Sequence, residues 1–212
     1  MADSQAQGVL TLAEPFRILT VCTGNICRSP QAQQLLFAQL NAVHDPGVDW
    51  KMPIIESAGT GALVERAMPE EAALWSREFG GDPTDHFARQ LTAQMIEESD
   101  LVIAMAREHR SAIARLLPRA SRYTFTLREL ARILGGTRQA AFGGDGVVVI
   151  PPPGAFADWA SLASARRGYF AGTSADDDVV DPYRREATVY KESAEQVRQA
   201  VTTLVNSVVV RP

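Results

Sequence analysis

A single three-layer α/β/α domain, built on a central parallel sheet of about four strands, is the fold this chain predicts. Three observations lead to it. Short β-branched runs alternate with amphipathic stretches along most of the chain. The first of these runs ends in a glycine-containing turn that opens directly into a helical pattern, and the chain closes on a long segment with apolar residues three and four apart. With 212 residues, 46% of them hydrophobic, there is enough chain to bury one proper core.

The first strand is Phe16 to Val21 (FRILTV), and a phosphate-binding loop follows it. Pro30 suits the first turn of a helix that runs to Leu40, with Ala32, Leu35, Leu36 and Leu40 on its apolar face. A second strand lies within Val48 to Ser57, and helical patterns then cover Glu70 to Phe79 and Thr92 to Glu98. Leu101 to Ala104 reads as the third strand, Glu108 to Leu117 as a helix and Tyr123 to Thr126 as the fourth strand. The stretch from Gly135 to Asp178 breaks the pattern. It holds Gly135-Gly136, Gly143-Gly144, Pro151-Pro152-Pro153 and Asp176-Asp177-Asp178, so turns are expected, with one helical piece at Ala155 to Gly168. The last helix, from about Arg185 to Val208, shows the clearest period, through Tyr190, Ala194, Val197, Val201, Leu204 and Val208. The expected organisation is a flexible tail at 1–15 and a domain at 16–212 with an inserted segment at about 135–178. That insert reads equally well as a lid carrying Phe156, Trp159, Tyr169 and Phe170 or as a peripheral decoration.

A formal charge of -4 and a pI near 5.4 leave no basic footprint, which argues against nucleic acid and anionic membranes as partners. No apolar run approaches the roughly 18 residues of a membrane span, and the first fifteen residues lack a secretory pattern, so a cytoplasmic location is expected. Both cysteines lie in one loop, which excludes a disulfide scaffold.

That loop, Cys22-Thr23-Gly24-Asn25-Ile26-Cys27-Arg28-Ser29, carries the chemistry. At the N-terminus of a helix, free backbone N–H groups and the positive end of the dipole favour an anion. The same field favours the ionised form of Cys22 as a nucleophile. Arg28 supplies a planar, two-pronged clamp for phosphate oxygens, Asn25 tolerates the left-handed backbone that turns amides inward, and Ser29 can hydrogen-bond the thiolate.

The spacing matches the cysteine, five residues, arginine, serine pattern of the cysteine-based phosphatases. CTGNICRSP at Cys22 to Pro30 resembles the low-molecular-weight protein tyrosine phosphatases in particular. Ser57-Ala58-Gly59-Thr60, His86 to Leu91, Ser99 to Met105 and Asp181-Pro182-Tyr183 are similar to that family's later motifs, in its order. The resemblance spans roughly Arg17 to Thr126 and Asp181 to Val208. It implies a metal-independent protein tyrosine phosphatase without a cofactor, acting on a phosphotyrosine protein, with a bacterial tyrosine kinase as one partner class. Cys22 is then the nucleophile, Arg28 the clamp and Asp181 the general acid and later base. Thr23, Gly24, Asn25, Ile26, Cys27, Arg28 and Ser29 bind the phosphate, Ser57 and His86 brace Asn25 and Ser29 from behind, and Tyr183 walls the substrate slot. Cys27 matches a second cysteine of many members, implying reversible inactivation by peroxide.

Three positions depart from the family. Leu63 stands where an aromatic wall is usual, Arg184 replaces the second aromatic after Pro182, and Gln33 replaces a frequent glutamate. Two other activities use this scaffold. In arginine phosphatases the position of Ile26 tends to be threonine, and thioredoxin-coupled arsenate reductases need cysteines downstream, of which there are none after Cys27. A phosphotyrosine-binding module without activity is expected to lack Cys22, Arg28 or Asp181. Plainer readings attach to Arg89 as a surface or packing residue, to His109 beside Glu108 as a weak metal signal, and to Asp176–Asp178 as a solvated charge run.

Overall fold

The computed structural model describes residues 15–44, 51–143, 156–169 and 174–208. The expected tail up to residue 14, Val48 at the expected start of the second strand, the triple proline and Phe170 lie outside the described residues. Arg17–Cys22 (β1), Ile54–Gly59 (β2), Leu101–Ala104 (β3) and Thr124–Thr126 (β4) form one four-stranded parallel sheet in the order β2-β1-β3-β4. The fold is α/β. Val21 pairs with Ala58 on one side and Ala104 on the other, and Cys22 lies opposite Gly59. The connections leave β1 and β3 in opposite directions across the sheet, so a crevice opens at their C-terminal ends, where such folds bind ligands.

The strands β3 and β4, and β1 beyond Arg17, bury both faces because alternate side chains serve different helix layers, while the edge strand β2 leaves Ile54 and Glu56 partly exposed. Ile18 and Cys22 join Ile103 and Phe125 in one core with Arg28–Val43 (α1), Leu127–Gly143 (α5) and Ala187–Val208 (α7). Leu19 and Val21 join Val102 and Ala104 in a second core with Ala93–Glu97 (α3) and Arg107–Leu116 (α4). Glu70–Glu78 (α2) packs against α1 and α7. No helix among the described residues is long and apolar enough to cross a membrane.

One helix differs from the sequence reading. Where turns were expected from Gly135 onward, α5 continues unbroken through Gly135 and Gly136. The glycine costs helix propensity but admits close packing: a Cβ at Gly135 would lie 2.8 Å from Thr203 Cγ2 of α7. Farther along, Phe156–Arg166 (α6) is helical as expected, and Phe156 and Trp159 are core residues. Phe156 stacks on Phe16 with ring centroids 5.8 Å apart and meets Trp159 edge-on at 5.2 Å. Arg167, just beyond α6, covers the Phe125 ring and donates to the carbonyls of Ser121 and Thr124 and to Glu129. Residues 156–167 are therefore fastened around β4, and Tyr169 is left exposed.

Candidate active site

The loop after β1 closes around the sulfur of Cys22. Asn25 has φ +54, the left-handed value, which turns its N–H back to Cys22 Sγ at 3.2 Å. Ser29 Oγ lies 3.0 Å from Sγ, and Asn25 Nδ2 donates to that same Oγ at 3.0 Å. The Ser29 hydroxyl, which accepts from Asn25, has one proton to share between the sulfur and Ala58 O, and an ionised sulfur is the stronger acceptor. Ser29 itself is pinned by Thr20 Oγ1, which donates to its carbonyl at 2.9 Å. The helix α1 starts at Arg28, so its unpaired amides and positive dipole end face the same space.

The segment after β2 laces onto this loop. Thr60 N donates to Cys22 O, Gly61 N to Thr23 O and Leu63 N to Gly24 O, at 2.9, 3.1 and 3.0 Å. Close approach is possible because residue 59 is glycine. A Cβ there would sit 2.4 Å from Thr23 O.

Behind the loop, His86 Nε2 donates to Asn25 O at 2.6 Å, and Arg89 N donates to Asn25 Oδ1 at 2.9 Å. Burial pulls the His86 ring below its ordinary value, against the hydrogen bond to Asn25. Arg89 is a bracket and not only a surface residue: Nε donates to Ser57 O at 2.9 Å and Nη2 pairs with Glu56 at 3.0 Å. Ser57 thus enters the bracket through its carbonyl. Besides its contacts with Asn25 and Cys22, the Ser29 hydroxyl lies 3.5 Å from Ala58 O. Gln33 lies farther out, on a cavity of about 390 Å³ that His86, Ser57 and Arg89 also line.

Arg28 and Asp181 meet from opposite ends of the chain. The Arg28 side chain is 4% exposed, with Nη2 2.8 Å from Asp181 Oδ2 and Nη1 donating to Val179 O at 3.2 Å. Asp181 is 52% exposed on its side chain and accepts from Tyr183 N at 3.2 Å, a tight local turn. The segment that delivers it is tied down at several points. Arg107 donates to Asp178 through N, Nε and Nη2, with the nearest contacts at 2.8 Å, while Arg128 donates to Asp178 O and Arg132 to Asp177 Oδ1. Val179 N bonds Met105 O, and Val180 N bonds Gln196 Oε1. Asp177 and Asp178 are therefore not a solvated run but anchors on α4 and α5. Burial alone would raise the Asp178 carboxyl; the hydrogen bonds from Arg107 outweigh it and hold it below its ordinary value. Arg107→Gln is expected to lower kcat on an aryl phosphate about 3- to 10-fold without weakening inhibition by inorganic phosphate, because it loosens the Asp181 segment, whose carboxylate competes for Arg28, and not the loop. Steady-state kinetics with phosphate as competitor checks this.

These groups enclose a cavity of about 130 Å³ with Cys22 at its floor and Arg28 and Ile26 in its wall. Its mouth is formed by Leu63, Asp181 and Tyr183, and both hydrophobic side chains there are 38% exposed. Arg184, at φ +58, lies over the Tyr183 ring with its guanidinium carbon 5.1 Å from the centroid. Cys27 is buried, and burial followed by the nearby sulfur of Cys22 pushes its thiol up to about 12. It stays protonated at neutral pH. His109, which sequence reasoning connected only weakly with metal, is packed against the loop with Nε2 2.9 Å from Thr23 Oγ1. Among the described residues no group of three or more His, Cys, Asp or Glu side chains is arranged to hold a metal ion.

The sequence model of the low molecular weight phosphotyrosine protein phosphatases matches residues 17–140. The chain belongs to that family. A relative in Erwinia amylovora, AmsI, described as a probable low molecular weight protein-tyrosine-phosphatase, is 40% identical over 101 residues, covering 48% of this chain and 63% of AmsI. A protein-arginine-phosphatase of Geobacillus stearothermophilus is 36% identical over 131 residues, covering 61% of this chain and 81% of its own length. In three dimensions the crystal structure of Erwinia amylovora AmsI superposes with a TM-score of 0.63 at 24% identity, covering 95% of this chain and 99% of that one. The four-stranded parallel sheet and its flanking helices are thus the low molecular weight phosphatase fold. The matched stretch 17–140 contains Cys22, Arg28, His86 and His109; Asp181 and Tyr183 lie beyond it.

Proposed function

We propose that this chain is a metal-independent protein tyrosine phosphatase that works through a cysteinyl-phosphate intermediate. The observation that carries the reading is the convergence of Cys22 Sγ, Arg28 and Asp181 on one small cavity from distant parts of the chain. In the first step the thiolate of Cys22 attacks phosphorus in line, the P–O bond to the aryl group breaks, and the carboxyl of Asp181 gives its proton to the departing oxygen. In the second, the Asp181 carboxylate takes a proton from water, which attacks phosphorus, and the P–S bond breaks to return the thiolate. Loop amides and the Arg28 guanidinium hold the equatorial oxygens throughout. A phosphate dianion displaces the Asp181 carboxylate from Arg28, and the freed carboxylate takes a proton from solvent to become the carboxyl that faces the leaving group.

The substrate slot favours an aryl phosphate. Ile26 and Leu63 give it apolar walls and Tyr183 an aromatic face, which suits a flat ring better than a guanidinium. The Geobacillus relative supports phosphoarginine as a second reading on the same loop. The protein partner of the first reading is a phosphotyrosine protein, with a bacterial tyrosine kinase as its expected class. Cys27 stays protonated, and its place in the loop beside Cys22 supports a role in trapping oxidised Cys22.

The test is release of phosphate from matched phosphotyrosine and phosphoarginine peptides in the presence of EDTA. Turnover of the phosphotyrosine peptide at least about 10-fold faster, unaffected by chelator, is the expected result. Preference for phosphoarginine would replace the substrate reading, and loss of activity with EDTA would end the metal-independent one.

A further inference from the structure

The steps above leave one buried titratable group beside the loop without a task. His109 stands in the first turn of α4, 1% exposed, and reaches from the end of β3 to Thr23, the residue that follows the nucleophile. Its Nε2 lies 2.9 Å from Thr23 Oγ1, and its Nδ1 is buried without a hydrogen-bond partner among the described residues. Glu108 Oε1 is 3.4 Å from Nε2, on a side chain 70% exposed, a weaker contact. An orphaned buried N–H is rarer than an unused lone pair, so the ring proton belongs on Nε2 and is donated to Thr23. Burial and then the charge of Arg28 oppose a second proton, outweighing Asp178, and bring the ring down to about 4. The other side of Thr23 is held by Gly61 N on its carbonyl and by the close approach of Gly59.

We propose that His109 is a positioning residue for anion binding: by donating to Thr23 Oγ1 it fixes the first turn of the phosphate loop, and with it the amides that face the pocket. The proposal rests on the phosphatase reading of this loop, but it depends on phosphate binding and not on which phosphoester is cleaved. Nothing in the motif Cys22 to Ser29 assigns this task, since the residue comes from α4, the helix that follows β3.

The experiment is calorimetric titration of the full chain with inorganic phosphate, together with thermal denaturation. His109→Leu removes the donor, His109→Gln places an amide N–H near the same point, and Thr23→Val removes the acceptor. Phosphate Kd is expected to weaken roughly 5- to 10-fold in His109→Leu and in Thr23→Val. The double variant should bind no more weakly than the weaker single variant, and His109→Gln should return to within about twofold of the parent. Additive losses in the double variant would overturn the proposal, as would a His109→Leu protein that loses only thermal stability. If His109→Leu does not fold, Thr23→Val decides, and a parent-like Kd there overturns the idea. A parent that binds phosphate but ignores phosphotyrosine would defeat the substrate reading alone.

Discussion

Cys22→Ser is expected to stop turnover of aryl phosphates, by at least about 10,000-fold, while phosphate still binds. The reason is in the neighbours of the sulfur. Asn25 N–H points at it and Ser29 Oγ lies 3.0 Å away, so the site is built to stabilise an anionic sulfur, and the carboxylate at the cavity, Asp181, is engaged with Arg28 and not with the side chain of residue 22. His86 spends its proton on Asn25 O, and His109 faces Thr23. A serine at this position would remain a neutral alcohol. The loop amides and Arg28 would be intact, and the like charge of a thiolate would be gone, so phosphate affinity should hold or rise. Single-turnover assays beside equilibrium phosphate titration separate the two effects. Residual turnover near the parent rate would mean that Cys22 is not the nucleophile, and loss of phosphate binding would mean that the substitution has damaged the loop.

Much of this site could be read from residue order because its central part is local. One strand, one turn and one helix start bring Cys22, Asn25, Arg28 and Ser29 together within eight residues, and β-branched runs separated by helical periods are enough to place that unit in a parallel sheet. What escaped was long-range. His109 follows β3 and Thr23 follows β1; these become neighbours because β1 and β3 pair in parallel, which places the residues just past both strands at one edge. That relation could have been drawn from the expected sheet, since residues after adjacent parallel strands share an end. Arg89 reads as a surface or packing arginine, and which of the two it is could not be told because nothing in its own segment shows that Ser57 O and Glu56 wait for it.

The missed helix has a different cause. Leu127, Leu130, Ala131 and Leu134 already keep a helical period and are all buried, yet the glycine pair after them is a strong turn signal. Packing against α7 overrode the local signal, and the bare backbone at Gly135 lets the Thr203 side chain approach without shifting. Asp177 and Asp178 were misread in the same way: charge runs are solvated by default, and only the arrival of Arg107 and Arg132 from α4 and α5 turns these into anchors. Those anchors matter beyond stability, because they set the place of Asp181.

Asp181→Asn is expected to lower kcat by about 100- to 10,000-fold, with a size that depends on the leaving group. An amide keeps the acceptor that holds Tyr183 N, so the turn should survive, but it can neither give a proton nor take one. For a phenyl or tyrosyl leaving group the first step slows, since an unprotonated phenolate must depart. A nitrophenolate departs readily without help, so with nitrophenyl phosphate only the second step is impaired, and a burst of one product per site should precede slow turnover. The substitution also removes the carboxylate that pairs with Arg28 at 2.8 Å, which leaves the guanidinium free for anions and should tighten inhibition by inorganic phosphate several-fold. Rapid-mixing kinetics over a series of substituted phenyl phosphates reads all three effects. Equal loss for every leaving group, without a burst, would show that Asp181 acts through its hold on Arg28 and not as the acid. Tighter phosphate binding combined with a leaving-group-dependent loss would show both: a carboxyl that guards the empty clamp and, once phosphate has displaced it, protonates the departing oxygen.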